Sequence, residues 1–344
     1  MRALTVLVSA SGAPGTAALL QALRHNGERA VRLVGTDMSA RAVGRFLADA
    51  FHVVPPGGDP AFADALLDVC RTEGVDAVLP QSSFDLAGLA AARPRFEEAG
   101  IRALVASPDA VRRANDKAET YALLEHIGVR APAWRRVRGG EAVADAAREL
   151  GYPGADVALK PVFSSGSRGF RVLSASADRR EQLLTNRPSV AEALRLEDLV
   201  ELLGDDETEL LVMELATGPE RTIDGIAEGG RILLGHPKTR EAMRAGLAMF
   251  FRTLDDEQLM ETASRVVEAL ALDHFFNIQL VGEHVIEVNP RISTVVYQED
   301  LNLPYLGVKH ALGEVGADEL RALAARARPT RRALRYFEQV EWDE

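Results

Sequence analysis

Residues 276–294 read FNIQLVGEHVIEVNPRIST, and this stretch decides how the rest of the chain is interpreted. Apolar residues alternate on both sides of Gly282-Glu283, which predicts two short strands, 275–281 and 284–288, joined by a tight hairpin turn. Side chains two positions apart point to the same face of a strand. Each predicted strand therefore places two polar side chains on one face of the hairpin.

Those polar side chains are oxygen ligands. Asn277 and Gln279 share a face of the first strand, and Glu287 and Asn289 share a face of the second. Folding the hairpin brings Gln279 towards Glu287 and Asn289, with Arg291 just beyond. One carboxylate and two amide oxygens suit Mg²⁺ that keeps waters and takes its other ligands from phosphates. Arg291 would then balance phosphate charge. The alternative is a hairpin whose polar face meets solvent, although amides are poor choices for exposed strands.

The composition limits the function classes. A chain of 344 residues is long enough for two or three domains. A net charge of −11 argues against a nucleic-acid partner, which would require a basic face. We find no run of 18 apolar residues and no leader pattern, so we expect a soluble, cytoplasmic protein with no membrane partner. The single cysteine, Cys70, lies in a helical apolar pattern and is expected in the core, which leaves no disulfide and no thiolate metal site.

Lysine is rare in this chain. Of the 40 basic residues only four are lysine, at positions 117, 160, 238 and 309. In a sequence that otherwise uses arginine, a lysine is a candidate for a role that needs a compact ammonium group with three donors. Lys117 and Lys160 are the strongest candidates, whereas Lys309 is as well explained by an ordinary surface position.

The first 110 residues alternate between strands and helices. The predicted strands are 3–8, 30–34, 77–79 and 103–105, and the predicted helices are 16–26, 61–73 and 86–99. This rhythm predicts a parallel, doubly wound, Rossmann-like sheet.

The loops at the carboxyl ends of these strands are where such sheets bind ligands. Asp37 closes the second strand as in a dinucleotide site, but Gly12 and Gly15 alone do not make the glycine pattern that close pyrophosphate approach requires. The segments 9–15 and 81–85, with Asp37, could line a site for a small polar substrate. They read equally well as ordinary loops.

The middle of the chain carries features suited to phosphates. Lys117 stands near the start of a helix that ends at Gly128, where its ammonium and the free N–H groups could bind an anion together. Lys160 ends a predicted strand. The loop 163–170, FSSGSRGF, follows it, and its two glycines permit positive φ and close backbone approach to phosphates. The loop is not a Walker A motif, because no Gly-Lys-Ser/Thr follows and strands flank it.

Further polar residues lie after residue 209. The strand ending at Met213 could offer backbone groups to a purine edge, and Glu220 could bind ribose hydroxyls. Asp224 reads either as part of this site or as a solvated strand residue. His236, Lys238 and Arg240 are predicted in a loop, where they could bind an acidic substrate or the transferred phosphoryl group, or simply be solvated.

These motifs, in this order, resemble the ATP-grasp superfamily, in particular the large chain of carbamoyl-phosphate synthetase and biotin carboxylase. The motifs are NDK117, LK160P with SSGSRG169, ME214L with GPE220, and NIQ279 with E287VNPR291. The likeness runs from the N-terminal sheet to about residue 312. It implies a Rossmann-like domain followed by two subdomains that grip ATP between antiparallel sheets.

The resemblance also implies site residues, with ATP and Mg²⁺ as cofactors and Mn²⁺ as a substitute. The implied phosphate contacts are Lys117, Lys160 and the loop residues Ser164, Ser165, Gly166, Ser167 and Gly169. Glu214, Leu215 and Ala216 would lie along the adenine, and Glu220 would bind the ribose. Gln279, Glu287 and Asn289 would hold Mg²⁺, while Arg291, Lys160, Lys238 and Arg240 would act on the transferred phosphate or the substrate.

The expected domains are 1–112, Rossmann-like, and 113–344, ATP-grasp. Glycine-containing turns at 138–140 and 151–154 suggest that about 130–212 forms a separate small subdomain. We expect it to be a mobile lid that has little continuous core and packs lightly on the rest.

The expected reaction follows from how the chain departs from its relatives. There is one ATP-grasp unit rather than two, the biotin carboxylase tail is missing, and Gln279 stands where many members have an acid. Single-unit relatives activate a carboxylate as an acyl phosphate and pass it to an amine. We therefore expect an ADP-forming ligase with small-molecule carboxylate and amine substrates, and consider a homodimer as its assembly. The alternatives are a carboxyphosphate-forming enzyme and a nucleotide-binding regulatory module without turnover.

Overall fold

The computed structural model describes residues 2–164, 166, 168–178, 180, 184, 193–244, 247–293 and 301–342. Ser165 and Ser167 lie outside the described residues. Within that part of the chain, no helix is long and apolar enough to cross a membrane.

The N-terminal region is a five-stranded parallel sheet, as the sequence predicts. Its strands are β1 (Leu4–Ser9), β2 (Val31–Asp37), β3 (Ala50–Val53), β4 (Ala77–Pro80) and β5 (Arg102–Ala103). The strand order is β3-β2-β1-β4-β5 and every neighbouring pair is parallel. The central strand β1 is almost wholly buried, because helices cover both faces of a doubly wound sheet.

The helices of this region are α1 (Thr16–Arg24), α2 (Gly44–Leu47), α3 (Phe62–Glu73), α4 (Ser83–Glu98), α5 (Pro108–Asn115) and α6 (Lys117–His126). The prediction missed the short helix α2 and the edge strand β3. The side chains of β3 are only half-buried or exposed, so it carries no apolar run that would mark it. Cys70 is buried on α3, as expected.

A second sheet follows, and it coincides with the segment expected to be a lid. Its strands are β6 (Trp134–Val137), β7 (Val157–Pro161), β8 (Arg171–Leu173), β9 (Ala193–Leu194) and β10 (Leu210–Glu214), in the order β6-β10-β7-β8-β9. Its helices are α7 (Gly140–Glu149) and α8 (Leu196–Leu203).

The expectation that this segment has little core is wrong. Alternate residues of β7 and β10 face opposite sides, so Val157 and Leu159 pack in a cluster with α7 and α8. Ala158 and Val162 join the larger cluster that also contains α3, α4 and α9 residues. The sheet therefore has a core of its own and a second buried face, which contradicts light packing.

The remaining strands form two antiparallel sheets. The strands are β11 (Glu220–Glu228), β12 (Arg231–Thr239), β13 (Glu241–Arg244), β14 (Leu247–Arg252), β15 (His274–Val281), β16 (His284–Asn289) and β17 (Arg332–Leu334). The orders are β12-β11-β15-β16 and β13-β14-β17. Helices α9 (Glu257–Ala269), α10 (Leu303–Ala311) and α11 (Ala317–Ala324) complete this region. The fold is thus a parallel Rossmann-like sheet, then a mixed sheet in which only β8 and β9 pair parallel, then two antiparallel sheets, an arrangement consistent with the ATP-grasp type.

Candidate active site

The hairpin at residues 276–294 forms as predicted. Strands β15 and β16 pair antiparallel, with Gln279 opposite Glu287 and Asn277 opposite Asn289. Gly282 has a φ of 56°, and a Cβ there would lie 2.6 Å from the carbonyl oxygen of Thr217. The turn therefore requires glycine, because any side chain would be both strained and blocked.

A cavity of about 1010 Å³ adjoins this hairpin. Its wall includes Gln279, Glu287 and Arg291 on one side and the carboxyl ends of the parallel strands on the other, with the segment 81–85 and Asp37. The structure thus brings the N-terminal loops and the polar hairpin to one space. Asn289 is buried behind the cavity wall.

Glu287 has an orphaned carboxylate. It accepts no hydrogen bond from any described residue, yet it lies close enough to Lys117 and Lys160 to affect the pKa of both. In the described chain, no group of three or more His, Cys, Asp and Glu side chains could hold a metal. A hard cation bound here would therefore rely on one carboxylate, amide oxygens and ligands from outside the protein, a donor set that fits Mg²⁺ with phosphate.

A hydrogen-bonded network sets the amide orientations beside Glu287. Asn277 Oδ1 accepts from Gln279 Nε2 at 3.0 Å and from Asn289 Nδ2 at 3.2 Å. Both amide nitrogens therefore turn towards Asn277, and both amide oxygens turn away from it. Asn277 Nδ2 in turn donates to Asp224 Oδ1 at 2.9 Å and Thr222 Oγ1. These two hydrogen bonds fix the orientation of the Asn277 side chain.

Lys238 anchors this network, and the prediction that it lies in a loop is wrong. Lys238 and His236 are on strand β12 and are buried. Lys238 Nζ lies 3.1 Å from Asp224 Oδ2, and both side chains are 1% exposed. Asp224 is therefore not the solvated strand residue that the sequence also allowed. Burial and the charge of Lys238 lower the pKa of His236 to about 2, so His236 stays neutral.

Arg240 is the first residue after β12 and does line the cavity. Its Nε lies 3.4 Å from the carboxylate of Glu220. Lys238 is thus buried inside the hydrogen-bonded network, whereas Arg240, just beyond the end of β12, lines the cavity.

The two candidate lysines are buried near Glu287. Lys117 is the first residue of α6, whose cap is Asp116, and its Nζ donates to the carbonyl oxygen of Ser164 at 2.7 Å. Burial lowers the pKa of Lys117. Lys160 Nζ donates to the carbonyl oxygen of Ile286 at 3.0 Å and to Tyr121 Oη at 3.2 Å. Burial lowers the pKa of Lys160 to about 8, against the opposing effect of Glu287.

The glycine-rich loop lies between Lys160 and the cavity. Gly166 lines the cavity with a φ of 65°, and a Cβ at this position would meet open space. Gly169 has a φ of 74°, and a Cβ there would lie 2.6 Å from the ring of Pro161. Ser164, near the start of the loop, accepts a hydrogen bond from Lys117 through its carbonyl oxygen and is not part of the cavity wall.

The residues expected at the base and ribose stand outside the cavity wall. Glu214 ends β10, with Leu215 and Ala216 following, and its carboxylate accepts from the backbone N–H of Ala133 at 3.2 Å. Glu220 begins β11. The structure does not bring these four residues into the cavity that holds Glu287.

Two contacts of the N-terminal region, one made by Asp37 and one made by Arg291, bear on the sequence predictions. Both carboxylate oxygens of Asp37 accept backbone N–H groups, from Gly12 at 2.8 Å and from Ser39 at 2.9 Å. Asp37 therefore stabilises the first loop through hydrogen bonds to its backbone. This structural role explains why an aspartate ends β2 without a dinucleotide site. Arg291 Nε donates to Ser83 Oγ at 3.2 Å, a contact between hairpin and N-terminal domain that no local sequence pattern could reveal.

Two family descriptions match the chain. Residues 206–332 match "ATP-grasp in the biosynthetic pathway with Ter operon", and residues 6–104 match "PylC-like, N-terminal domain".

Curated relatives include carbamoyl phosphate synthase large chains. That of Rubrobacter xylanophilus is 28% identical over 242 residues, which is 69% of this chain and 22% of the relative. That of Thermus thermophilus is 28% identical over 216 residues, which is 58% of this chain and 19% of the relative. This chain therefore spans about a fifth of the length of these relatives.

Solved structures share the fold over most of the chain. Biotin carboxylase from Campylobacter jejuni aligns with a TM-score of 0.63 and 17% identity, over 90% of this chain and 71% of that one. The L-amino acid ligase from Bacillus licheniformis aligns with a TM-score of 0.64 and 17% identity, over 96% of this chain and 79% of that one. The family match assigns residues 206–332 to an ATP-grasp family, and the solved structures show the same fold over most of the chain.

Proposed function

We propose that this protein is an ADP-forming ligase that activates a carboxylate as an acyl phosphate and joins it to an amine. The observation that carries the proposal is the cavity itself. The orphaned carboxylate of Glu287, the glycine-rich loop and Arg291 adjoin a space of about 1010 Å³ that extends to the N-terminal loops. That volume lies at the upper end of the ~300–1,000 Å³ typical of small-molecule sites.

ATP would bind with its phosphates between the glycine-rich loop and the hairpin. Lys117 and Lys160 would neutralise phosphate oxygens, Glu214, Leu215 and Ala216 would border the adenine, and Glu220 the ribose. Ser164, Gly166 and Gly169 would cover the phosphates. In this arrangement the lysines exchange their present carbonyl partners for phosphate oxygens, which relieves the cost of burying their charge.

Glu287, Gln279 and Asn289 would hold Mg²⁺. When bound, Mg²⁺ would neutralise charge on the phosphates and hold them in line with the carboxylate. Arg291 and Arg240 would contact the transferred phosphoryl group or the substrate carboxylate. Lys238 would act through Asp224 and Asn277, by holding the amides of the site in one orientation.

The chemistry requires positioning and the exclusion of water rather than a protein nucleophile. The carboxylate oxygen attacks the terminal phosphorus of ATP, and ADP leaves. The amine then attacks the carbonyl carbon of the acyl phosphate and expels inorganic phosphate. Because an acyl phosphate hydrolyses readily, the region 130–212 would close over it as a lid.

The size of the cavity also helps to distinguish the proposed ligation from the alternative, carboxyphosphate formation. A carboxyphosphate-forming enzyme would use bicarbonate, as the likeness to carbamoyl phosphate synthase large chains suggests. Bicarbonate would occupy a small part of this cavity beside the ATP phosphates, whereas an organic carboxylate and an amine would occupy much more of it. The size of the space therefore favours ligation of two organic substrates.

The test is a screen of carboxylate and amine pairs for release of ADP and phosphate, with bicarbonate as one of the carboxylates. We expect ADP formation that requires one carboxylate and rises when one amine is added, and that Glu287→Gln abolishes. Failure of every pair in the screen would favour a regulatory module, and activity with bicarbonate alone would favour the carboxyphosphate reaction.

A further inference from the structure

Asp85 is a buried carboxylate in the wall of the cavity. It lies in the first turn of α4, is 5% exposed, and accepts a hydrogen bond from Ser9 Oγ at 2.6 Å through Oδ2. Its Oδ1 accepts no hydrogen bond from any described residue. Gly57 lies against one side of Oδ1 without donating to it, since a Cβ at Gly57 would lie 2.5 Å from this oxygen, and both residues line the cavity. One oxygen of Asp85 therefore retains capacity for a donor from the cavity.

The charge of Asp85 is also only partly compensated, because the effect of Arg291 is smaller than that of burial. No lysine or arginine in the described chain lies within ion-pair distance of it, and Asp37 adds a second negative charge nearby. Burial is the main reason that the pKa of Asp85 rises to about 6. The two oxygens of Asp37 each accept a backbone N–H group, and Glu287 is assigned to the metal, so Asp85 is the remaining acid of the cavity wall that could bind a cationic substrate. A buried carboxylate without an ion-pair partner is costly, and a cationic ligand would offset that cost.

Arg291 connects Asp85 to the reaction centre. Its guanidinium donates to Ser83, two residues before Asp85 on α4, and its charge reaches Asp85. Arg291 is also the residue proposed to face the transferred phosphate. A group bound to Asp85 would therefore lie beside the position where the acyl phosphate forms.

We propose that Asp85 binds the ammonium group of the amine substrate, which is thus a cationic amine in solution; this rests on the proposed ligase function. The ammonium donates a hydrogen bond to Oδ1 and then transfers one proton to the carboxylate, which leaves a neutral amine and a carboxylic acid. The nitrogen lone pair forms the C–N bond, and the C–O bond to phosphate breaks with its electron pair on phosphate. The second nitrogen proton leaves with the phosphate, and Asp85 returns its proton to solvent.

The variant Asp85→Asn tests this step, since it removes the charge but preserves the shape and the hydrogen bond from Ser9. The probe is the amine that gives the highest turnover with the wild-type protein in a screen of the twenty amino acids and simple alkylamines. We expect its KM to rise by at least about tenfold, the size typical for loss of one charge-assisted hydrogen bond. The KM values for ATP and the carboxylate should change less than about twofold. Asp68→Asn, on the exposed face of α3, is the matched control and should leave all three unchanged.

Hydroxylamine separates this inference from the proposed function. It is largely uncharged at neutral pH and traps acyl phosphates as hydroxamates, so it does not require Asp85. Equal hydroxamate formation by wild type and Asp85→Asn, with a raised amine KM in the variant, would support the assignment. An unchanged amine KM in Asp85→Asn would overturn it and leave the ligase function standing. If the wild-type protein forms no hydroxamate with any carboxylate, the proposed function itself fails.

Folding of the variant can be checked independently. Because burial raises the pKa of Asp85, the ionised carboxylate destabilises the folded state above about pH 6, and protonation relieves this on going down towards pH 4. Asp85→Asn should therefore raise the denaturation midpoint at pH 7.5 and raise it less at pH 4.5. A variant that is at least as stable as wild type and still loses amine affinity has lost a binding group rather than its fold.

Discussion

Asn277 Oδ1 accepts a hydrogen bond from Gln279 Nε2 at 3.0 Å, and this contact turns the amide oxygen of Gln279 away from Asn277. The orientation matters because the proposed metal site uses that oxygen. Asn277→Leu removes the acceptor, so the amides of Gln279 and Asn289 can rotate. We expect the Mg²⁺ concentration for half-maximal ATP turnover to rise by about 10–100-fold, the usual effect of losing a group that orients a metal ligand.

Metal affinity can also be measured without turnover, by titrating Mn²⁺ and following water-proton relaxation. Combining Asn277→Leu with Gln279→Ala gives a double-mutant cycle. If Asn277 acts through Gln279, the second change should add little to the first. Full additivity, or an unchanged Mn²⁺ affinity in Asn277→Leu, would show that the network supports the sheet only.

Glu287 carries the metal prediction, because its carboxylate accepts no hydrogen bond from any described residue although it lies near Lys117 and Lys160. Glu287→Gln removes one negative ligand from a site that has few, so Mg²⁺-dependent ATP turnover should fall by at least about a hundredfold while the protein stays folded. The matched control is Glu283→Gln, at the hairpin turn, where the carboxylate pairs with the exposed Arg130. Near-normal turnover in Glu287→Gln, measured as ADP release, would contradict the metal assignment.

The lysine prediction distinguishes Lys117 and Lys160, which are expected to bind ATP, from Lys309, which is not. Lys160→Met and Lys117→Met should each weaken ATP binding by about 2–3 kcal/mol, or roughly 30–150-fold, because each loses a charge-assisted phosphate contact. Lys309→Met should change ATP affinity little, since Lys309 pairs with Glu28 on the surface. Calorimetry with MgADP measures all three, and equal behaviour of the three variants would refute the argument from lysine scarcity.

The lid prediction concerns β7 and β8, which flank the glycine-rich loop. MgATP would link Lys160 on β7 to Glu287 on β16 and shift the population towards a closed state. Hydrogen exchange of the amides in 157–161 and 171–173 should slow when a non-hydrolysable ATP analogue and Mg²⁺ are added. The amides of β1 should change little, and equal slowing of both regions, or of neither, would argue against a lid gated by nucleotide.

The sequence allowed the prediction of those parts of the fold that depend on the pattern of apolar and polar residues within a short segment. The hairpin at Gly282-Glu283 was predictable because its apolar alternation and its turn lie within a few residues of one another. The parallel sheet was predictable for the same reason, apart from the edge strand β3, whose side chains are only partly buried. The core of the region 130–212 was underestimated, because Leu159 and Leu196 contribute to it from distant positions.

The site was harder to predict because its decisive contacts are long-range. Lys238 follows a loop-like Gly-His-Pro sequence, and only the pairing of β12 with β11 places its ammonium against Asp224. Asp85 lies in a segment that reads as an ordinary loop and helix start. That Asp85 has no ion-pair partner in the described chain can be recognised only once α4, Ser9 and Arg291 are placed around the cavity.

Acyl phosphate formation in this cavity is the central claim, and transfer of an oxygen-18 label measures it most directly. The carboxylate that supports ADP formation is labelled with oxygen-18 and incubated with ATP, Mg²⁺ and the amine, and the inorganic phosphate is analysed by mass spectrometry. We predict one labelled oxygen in each phosphate released, because the acyl C–O bond breaks when the amine attacks. Unlabelled phosphate, or the formation of AMP and pyrophosphate in place of ADP, would contradict the claim.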